Sequence, residues 1–332
     1  MKKISIIGAG AWGTALAAVA CRAGMDVVIQ AQEEDVARAI NDSHENTTFL
    51  AGVTLDAAIR ATTDMADATA GAEAVILAAP AQFLRPVMEN LKAHLTPGIP
   101  AVICAKGIEL DSGALMSEIA AEVAPQTPIA VLSGPTFAAE VARDLPAAVT
   151  LAAEDEKIAT QLSDALGTNR FRIYRSDDVI GAQVGGAVKN VLAIGCGIIE
   201  GRGLGDNARA ALITRGLAEI VRLGTAKGAK AETLMGLCGI GDLVLTCNAM
   251  QSRNFSLGVA LGQGEPLADI LGARTSVAEG VFSAASVTEL AGRLNIDMPI
   301  SLAVDGILNH FADIDASIEG LLSRPAGVEE KA

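Results

Sequence analysis

Close to the start of the chain, the short apolar run at 4–7 passes directly into Gly8-Ala9-Gly10-Ala11-Trp12-Gly13 and then into the helical pattern TALAAVACRAG. A strand, a turn with glycines at this spacing and a helix in immediate succession constrain a fold strongly. Each glycine has its own duty: Gly8 permits the tight turn, Gly10 lets backbone amides approach a pyrophosphate, and Gly13 lets the helix pack close to the strand. N–H groups at the helix start add partial positive charge. The segment reads as the first βα unit of a dinucleotide-binding sheet, with Gly8, Gly10, Ala11, Trp12 and Gly13 as cofactor-binding candidates. Lys2 and Lys3 ahead of an apolar stretch ending Ala18-Val19-Ala20-Cys21 mimic an export leader, but a leader has no use for this glycine spacing.

From there to about Ser176, short β-rich runs alternate with helical ones, the rhythm of a parallel sheet. Strands are expected at 4–7, 26–30, 74–79, 100–105, 128–132, 147–152 and 171–174, and helices at 83–94, 114–123 and 156–166. Runs such as AVILAA, apolar on both faces, suit a sheet covered by helices on both sides. Beyond about Asp177 the helical period dominates, for example at 207–227, with Asp206 as candidate N-cap and Gly228 as terminator. A chain of 332 residues exceeds what one core usually holds. The expected fold class is α/β: an N-terminal Rossmann-like doubly wound sheet over 1–177 and a C-terminal all-helical, substrate-binding domain over 178–328, sharing a cleft. The last residues, 327–332, are expected to fray.

A hydrophobic content of 51% fits a well-buried globular protein. The formal charge of -14 and aromatic content of 3% argue against nucleic acid, which needs cations for phosphates and rings for stacking. A small anion would need a local cationic pocket working against the field of the whole protein. Five scattered cysteines read as reduced, buried thiols, and three histidines away from any acidic or cysteine cluster give no metal spacing. Stable membrane insertion is not expected, because apolar stretches are broken by charges or turn residues before about 18 positions.

Ligands of open α/β sheets bind beyond the carboxyl ends of the strands. After the second strand, Gln32 precedes Glu33-Glu34-Asp35; three acids and no arginine would repel a 2′-phosphate, which favours NAD over NADP. The same acids also suit a helix opening. Other strands end in Pro80-Ala81-Gln82-Phe83, Lys106-Gly107 and Ser133-Gly134-Pro135-Thr136. In the second half, Lys189 sits in the apolar run GGAVKNVLAIGCGII, where Gly185 and Gly186 would admit another backbone. It either snorkels to the surface or, if buried, becomes a proton-transfer group. Asp242 and Thr246, four apart, share a helical face on which Asp242 could orient that lysine. Arg253 and Asn254 follow Ser252 at a helix start, where amides and a guanidinium suit an anion or, equally, Ser252 simply caps beside a solvated arginine.

These segments resemble NAD(P)-dependent glycerol-3-phosphate dehydrogenases along nearly the whole chain, through GAGAWGTALA, PAQF, AKGIE, SGPTFAAEVA, GGAVKNVLAIGCGIIEG, NARAALITRGLAEI, GIGDLVLTC, QSRN and VAEG. The resemblance implies reduction of dihydroxyacetone phosphate to sn-glycerol 3-phosphate, a precursor of phospholipid backbones, in the cytoplasm. It implies Lys189 as proton donor and acceptor, with Lys106, Asp242 and Thr246 around it. Asn190, Gly134, Thr136, Ser252, Arg253 and Asn254 resemble substrate contacts. Phe83, Ala138, Val277 and Glu279 join the glycine turn as cofactor contacts, Gln32 marks the ribose position, and Lys106 and Arg253 would serve both ligands. Many bacterial members carry histidine or arginine where Gln32 stands and proline where this chain has Ala51; the run at 33–35 and His44-Glu45-Asn46 look more like NAD-using forms. A homodimer is the assembly left open. The rival readings are a β-hydroxyacid dehydrogenase, which would require a carboxylate on its substrate, and a non-catalytic NAD-sensing module.

Overall fold

The computed structural model describes residues 1–273 and 278–325; Val277 and the expected tail at 327–332 lie outside them. One sheet holds β1 (Lys3–Ile7), β2 (Asp26–Gln30), β3 (Arg60–Thr62), β4 (Ala74–Leu77), β5 (Ala101–Ile103), β6 (Ile129–Ser133), β7 (Ala147–Ala153) and β8 (Phe171–Ser176). The strand order is β3-β2-β1-β4-β5-β6-β7-β8. The first six run parallel in the doubly wound order, with the switch point between β1 and β4. Connecting helices are α1 (Ala11–Arg22), α2 (Glu34–Ser43), α3 (Met65–Thr69), α4 (Leu84–Leu91), α5 (Met116–Val123), α6 (Ala138–Ala142) and α7 (Glu156–Leu166). Ile4, Ile6, Ile29, Ile76 and Val102 are fully buried in this sheet's core.

Two features depart from the sequence expectation. Strand β3 was not foreseen: it is three residues of mixed polarity, held by pairing Val28 to Arg60 and Gln30 to Thr62. The sheet is also not wholly parallel, because β7 returns antiparallel to β6 after a connection holding only the five-residue α6, and β8 then lies parallel to β7. With only the five-residue α6 in it, this connection lacks the longer helix that usually carries a parallel crossover.

The remaining elements are helical: α8 (Val179–Gly201), α9 (Asp206–Ala226), α10 (Ala231–Leu234), α11 (Asp242–Cys247), α12 (Arg253–Gly262), α13 (Leu267–Gly272), α14 (Glu279–Arg293), α15 (Pro299–Asn309) and α16 (Ile314–Leu322). A π-helical turn, Leu237–Gly241, leads into α11. The cap of α9 falls one residue before the expected Asp206, on Gly205 at φ 87, a left-handed conformation that disfavours an aspartate. Internal contacts divide the chain into two compact units, one of residues 1–106 and 114–183, the other of 107–113 and the chain from Val184 onward.

Residues 181–199 of α8 are all buried. By length and composition α8 could cross a membrane, yet 94% of its apolar window is covered by the protein itself, as a core helix requires. It packs against α12 through glycines: a Cβ on Gly197 would stand 2.1 Å from the Phe255 oxygen, and one on Gly258 2.1 Å from the Ile194 oxygen. All five cysteines are unbridged, four of them buried, and burial pushes the Cys104 thiol up to about 12.

Candidate active site

In the first unit the register aligns the strand ends. Ile7 pairs with Gln30 and Leu77, and Ile103 with Leu77 and Val131. Gly8, Gln32, Phe83, Lys106 and Gly134 therefore all follow strands at one carboxyl edge. Gly8 has φ +108, and a Cβ there would press on Ala78 at 3.0 Å. At Gly13 a Cβ would stand 2.0 Å from the Gly8 oxygen, so α1 can begin where it does only with glycine. Gly10 is different. Its φ of -67 is ordinary and its Cβ would meet nothing within 4 Å, so the protein's own packing does not demand glycine there. Open space above a turn at a helix N-terminus is what a pyrophosphate requires, and the cradle fits a dinucleotide.

Around this turn, Ala11 and Trp12 pack on the core of the sheet. Lys106, half-buried, donates from Nζ to the Gly134 carbonyl at 3.1 Å. Thr136 donates from Oγ1 to the same carbonyl at 3.4 Å, and Gly134 itself sits at φ +152 against Val149. Phe83 ends the 3-10 turn after β4 as an exposed aromatic ring, Ala138 opens α6, and Gln32 is exposed.

In the second unit the centre is Lys189, only 7% exposed. The snorkelling alternative fails on this burial. From α8 its Nζ donates to Asp242 Oδ1 and to Thr246 Oγ1, each at 2.7 Å, and both partners lie on the same face of α11. Thr246 Oγ1 donates in turn to the Asp242 carbonyl at 2.6 Å, which fixes its lone pairs toward the amine. Gly185 allows this approach, since a Cβ there would lie 2.4 Å from the Cys238 oxygen of the π-helical turn. The amine is thus held in a fixed direction between a carboxylate and a hydroxyl, with the wholly buried Asp242 as its charge partner.

The next residue, Asn190, accepts from Asn254 Nδ2 at 3.0 Å, and Asn254 Oδ1 accepts from the Gly280 amide at 3.0 Å, beside Glu279. One asparagine thus ties α8, α12 and α14 together. Ser252 caps α12 by accepting from the Phe255 amide at 3.2 Å, and Arg253, the first residue of that helix, is exposed. Two further polar residues were given no site role in the sequence. Glu219, fully buried in α9, accepts from Ile300 and Ser301 at the start of α15, and burial raises its pKa. Asn46 lies behind the glycine turn.

A doubly wound sheet with a dinucleotide turn, and a helical unit built around a buried lysine held by an aspartate and a threonine, define a nicotinamide-dependent oxidoreductase. The family model described as NAD-dependent glycerol-3-phosphate dehydrogenase N-terminus matches residues 3–159, and its C-terminal counterpart matches 178–319. The chain is 60% identical to glycerol-3-phosphate dehydrogenase (NAD(P)+) of Rhodospirillum rubrum, over 98% of this chain and 93% of that protein. Identity to the enzyme of the same name from Parvibaculum lavamentivorans is 56%, over 98% and 97%. The crystal structure of glycerol-3-phosphate dehydrogenase from Coxiella burnetii superposes with a TM-score of 0.94 at 38% identity, covering 97% of this chain and 99% of that one. The chain belongs to the NAD-dependent glycerol-3-phosphate dehydrogenase family.

Proposed function

We propose that this enzyme interconverts dihydroxyacetone phosphate and sn-glycerol 3-phosphate, that it does so in the cytoplasm without membrane insertion, and that its product feeds glycerophospholipid synthesis. The observation that carries the reading is the buried Lys189–Asp242–Thr246 triangle in a member of this family. When bound, the reduced nicotinamide supplies a hydride to the carbonyl carbon. Lys189 gives its proton to the developing alkoxide oxygen and takes it back in the reverse direction. Asp242 holds the amine in place, and Thr246 fixes its direction. In the second unit, Arg253, at the start of α12, and Asn190 are the proposed contacts of the phosphorylated substrate, and in the first unit Lys106, Gly134 and Thr136 are the candidates. Gly8, Gly10 and Gly13 seat the pyrophosphate. The exposed acids at 33–35 favour NAD over NADP, and a homodimer is the proposed assembly.

NADH oxidation with dihydroxyacetone phosphate, with dihydroxyacetone and with a β-keto acid tests this directly. Loss of the phosphate is expected to lower kcat/KM by at least about 10²-fold, because binding energy remote from the carbonyl drives the chemistry. NADPH should be the poorer reductant. A faster keto acid would point to a β-hydroxyacid dehydrogenase, and NADH binding without turnover of any substrate to a sensing module.

Gly10→Ala separates ligand space from folding. The added methyl meets no protein atom, so thermal stability should match the parent or rise slightly. NADH affinity should fall about tenfold or more, roughly 1.4 kcal/mol. Unchanged affinity by fluorescence titration would mean that the cofactor does not approach this turn.

A further inference from the structure

We infer that Asn46 is a positioning residue for the cofactor, acting through Ala9 and Thr14 to fix the direction in which the Gly10 amide faces. This rests on reading the first unit as the nicotinamide-dinucleotide site. The segment between α2 and β3 is a closed brace. It leaves α2 through His44 at φ 51, pairs Glu45 with Thr54 in an isolated antiparallel bridge, and is pinned by the Leu55 amide on the His44 carbonyl at 2.8 Å and the Gly52 amide on Glu45 Oε1 at 2.7 Å. Leu50, Val53 and Leu55 anchor it in the core.

Inside this brace Asn46 is 1% exposed. Its Nδ2 donates to the Ala9 carbonyl at 2.7 Å and to Thr14 Oγ1 at 2.8 Å, and its Oδ1 accepts from the Phe49 amide at 3.0 Å. Both amide hydrogens are therefore engaged by the glycine turn and the first turn of α1, and the oxygen by the brace. The flipped amide would set an oxygen against the Ala9 carbonyl, so the orientation is fixed.

In a trans peptide the C=O and the following N–H point in opposite directions. Holding the Ala9 carbonyl on the core side thus turns the Gly10 N–H outward, toward the side from which a ligand reaches the turn. Without that hold the Ala9–Gly10 peptide, with a glycine on its C-terminal side, is free to rotate and present a carbonyl oxygen to an incoming pyrophosphate. Asn46 has no place in the chemistry, so its influence should be confined to cofactor binding.

The test is Asn46→Asp, which keeps the shape but sets an acceptor against the Ala9 carbonyl. NADH binding is read by fluorescence titration without substrate, beside the two KM values, kcat and the melting temperature. The NADH Kd and KM should rise about tenfold, while kcat at saturating NADH and the KM for dihydroxyacetone phosphate stay within about twofold. Should this variant not fold, Thr14→Val removes one of the two contacts from the other side, with an expected rise of about threefold in the NADH Kd. An unchanged NADH Kd in either folded variant, even with a lowered melting temperature, overturns the inference and leaves Asn46 a core residue only. Failure of the parent protein to bind NADH would instead overturn the cofactor reading on which it rests.

Discussion

Lys189→Met is expected to lower turnover of dihydroxyacetone phosphate by about 10²- to 10⁴-fold, the usual contribution of a positioned acid–base group. NADH binding should change by no more than about twofold, because the glycine turn proposed to seat it does not include this side chain. Stability must be separated from chemistry. Removing the ammonium takes from Asp242, 0% exposed, the cation of its buried ion pair, and breaking such a pair costs about 3–5 kcal/mol. The double variant Lys189→Met with Asp242→Asn removes both charges together, so its melting temperature should return toward that of the parent while turnover stays lost. Restored turnover in the double variant, or more than about a tenth of parental kcat in the single one, would remove Lys189 from the proton transfer.

What could be read from the sequence follows a physical divide. Gly8 and Gly13 were legible because a turn and a close helix–strand contact leave a local signature, and the Asp242–Thr246 spacing because helical period alone puts both on one face. The direction of β7 was not, since a strand's own residues carry no record of which way its neighbour runs. Nor was β3, where three residues such as Arg60-Ala61-Thr62 have too little pattern to stand out from a loop. Glu219 reads in RGLAEIVR as a solvated helix face; only the arrival of α15, from eighty residues further on, buries it as the cap of another helix. Asn46 was noted only within the run His44-Glu45-Asn46, and its contacts stayed hidden for the same reason, because its partners Ala9 and Thr14 belong to a distant turn. Asn254, by contrast, was a site candidate in the sequence but not legible as the tie to Asn190 and Gly280, which depends on three helices meeting.

That meeting sets the second large effect. Gly258→Ala should destabilise the second unit by at least about 3 kcal/mol, the upper range for overpacking a core. The new methyl would lie 2.1 Å from the Ile194 oxygen and 2.9 Å from the Gly197 Cα, both backbone atoms, so no side chain can rotate to make room. The helices α8 and α12 must separate instead. At about 2–4 °C per kcal/mol for a unit of this size, the melting temperature should fall roughly 6–12 °C. Because α8 carries Lys189 and Asn190 while α12 carries Arg253 and Asn254, any folded variant should also show a raised KM for the phosphorylated substrate, as the 3.0 Å Asn190–Asn254 bond is pulled apart. Gly292→Ala is the control: the same methyl in α14 meets nothing within 4 Å, and replacing a helical glycine should leave stability unchanged or raise it by about 0.5–1 kcal/mol. Equal melting temperatures for the two variants would show that α8 and α12 do not meet backbone to backbone.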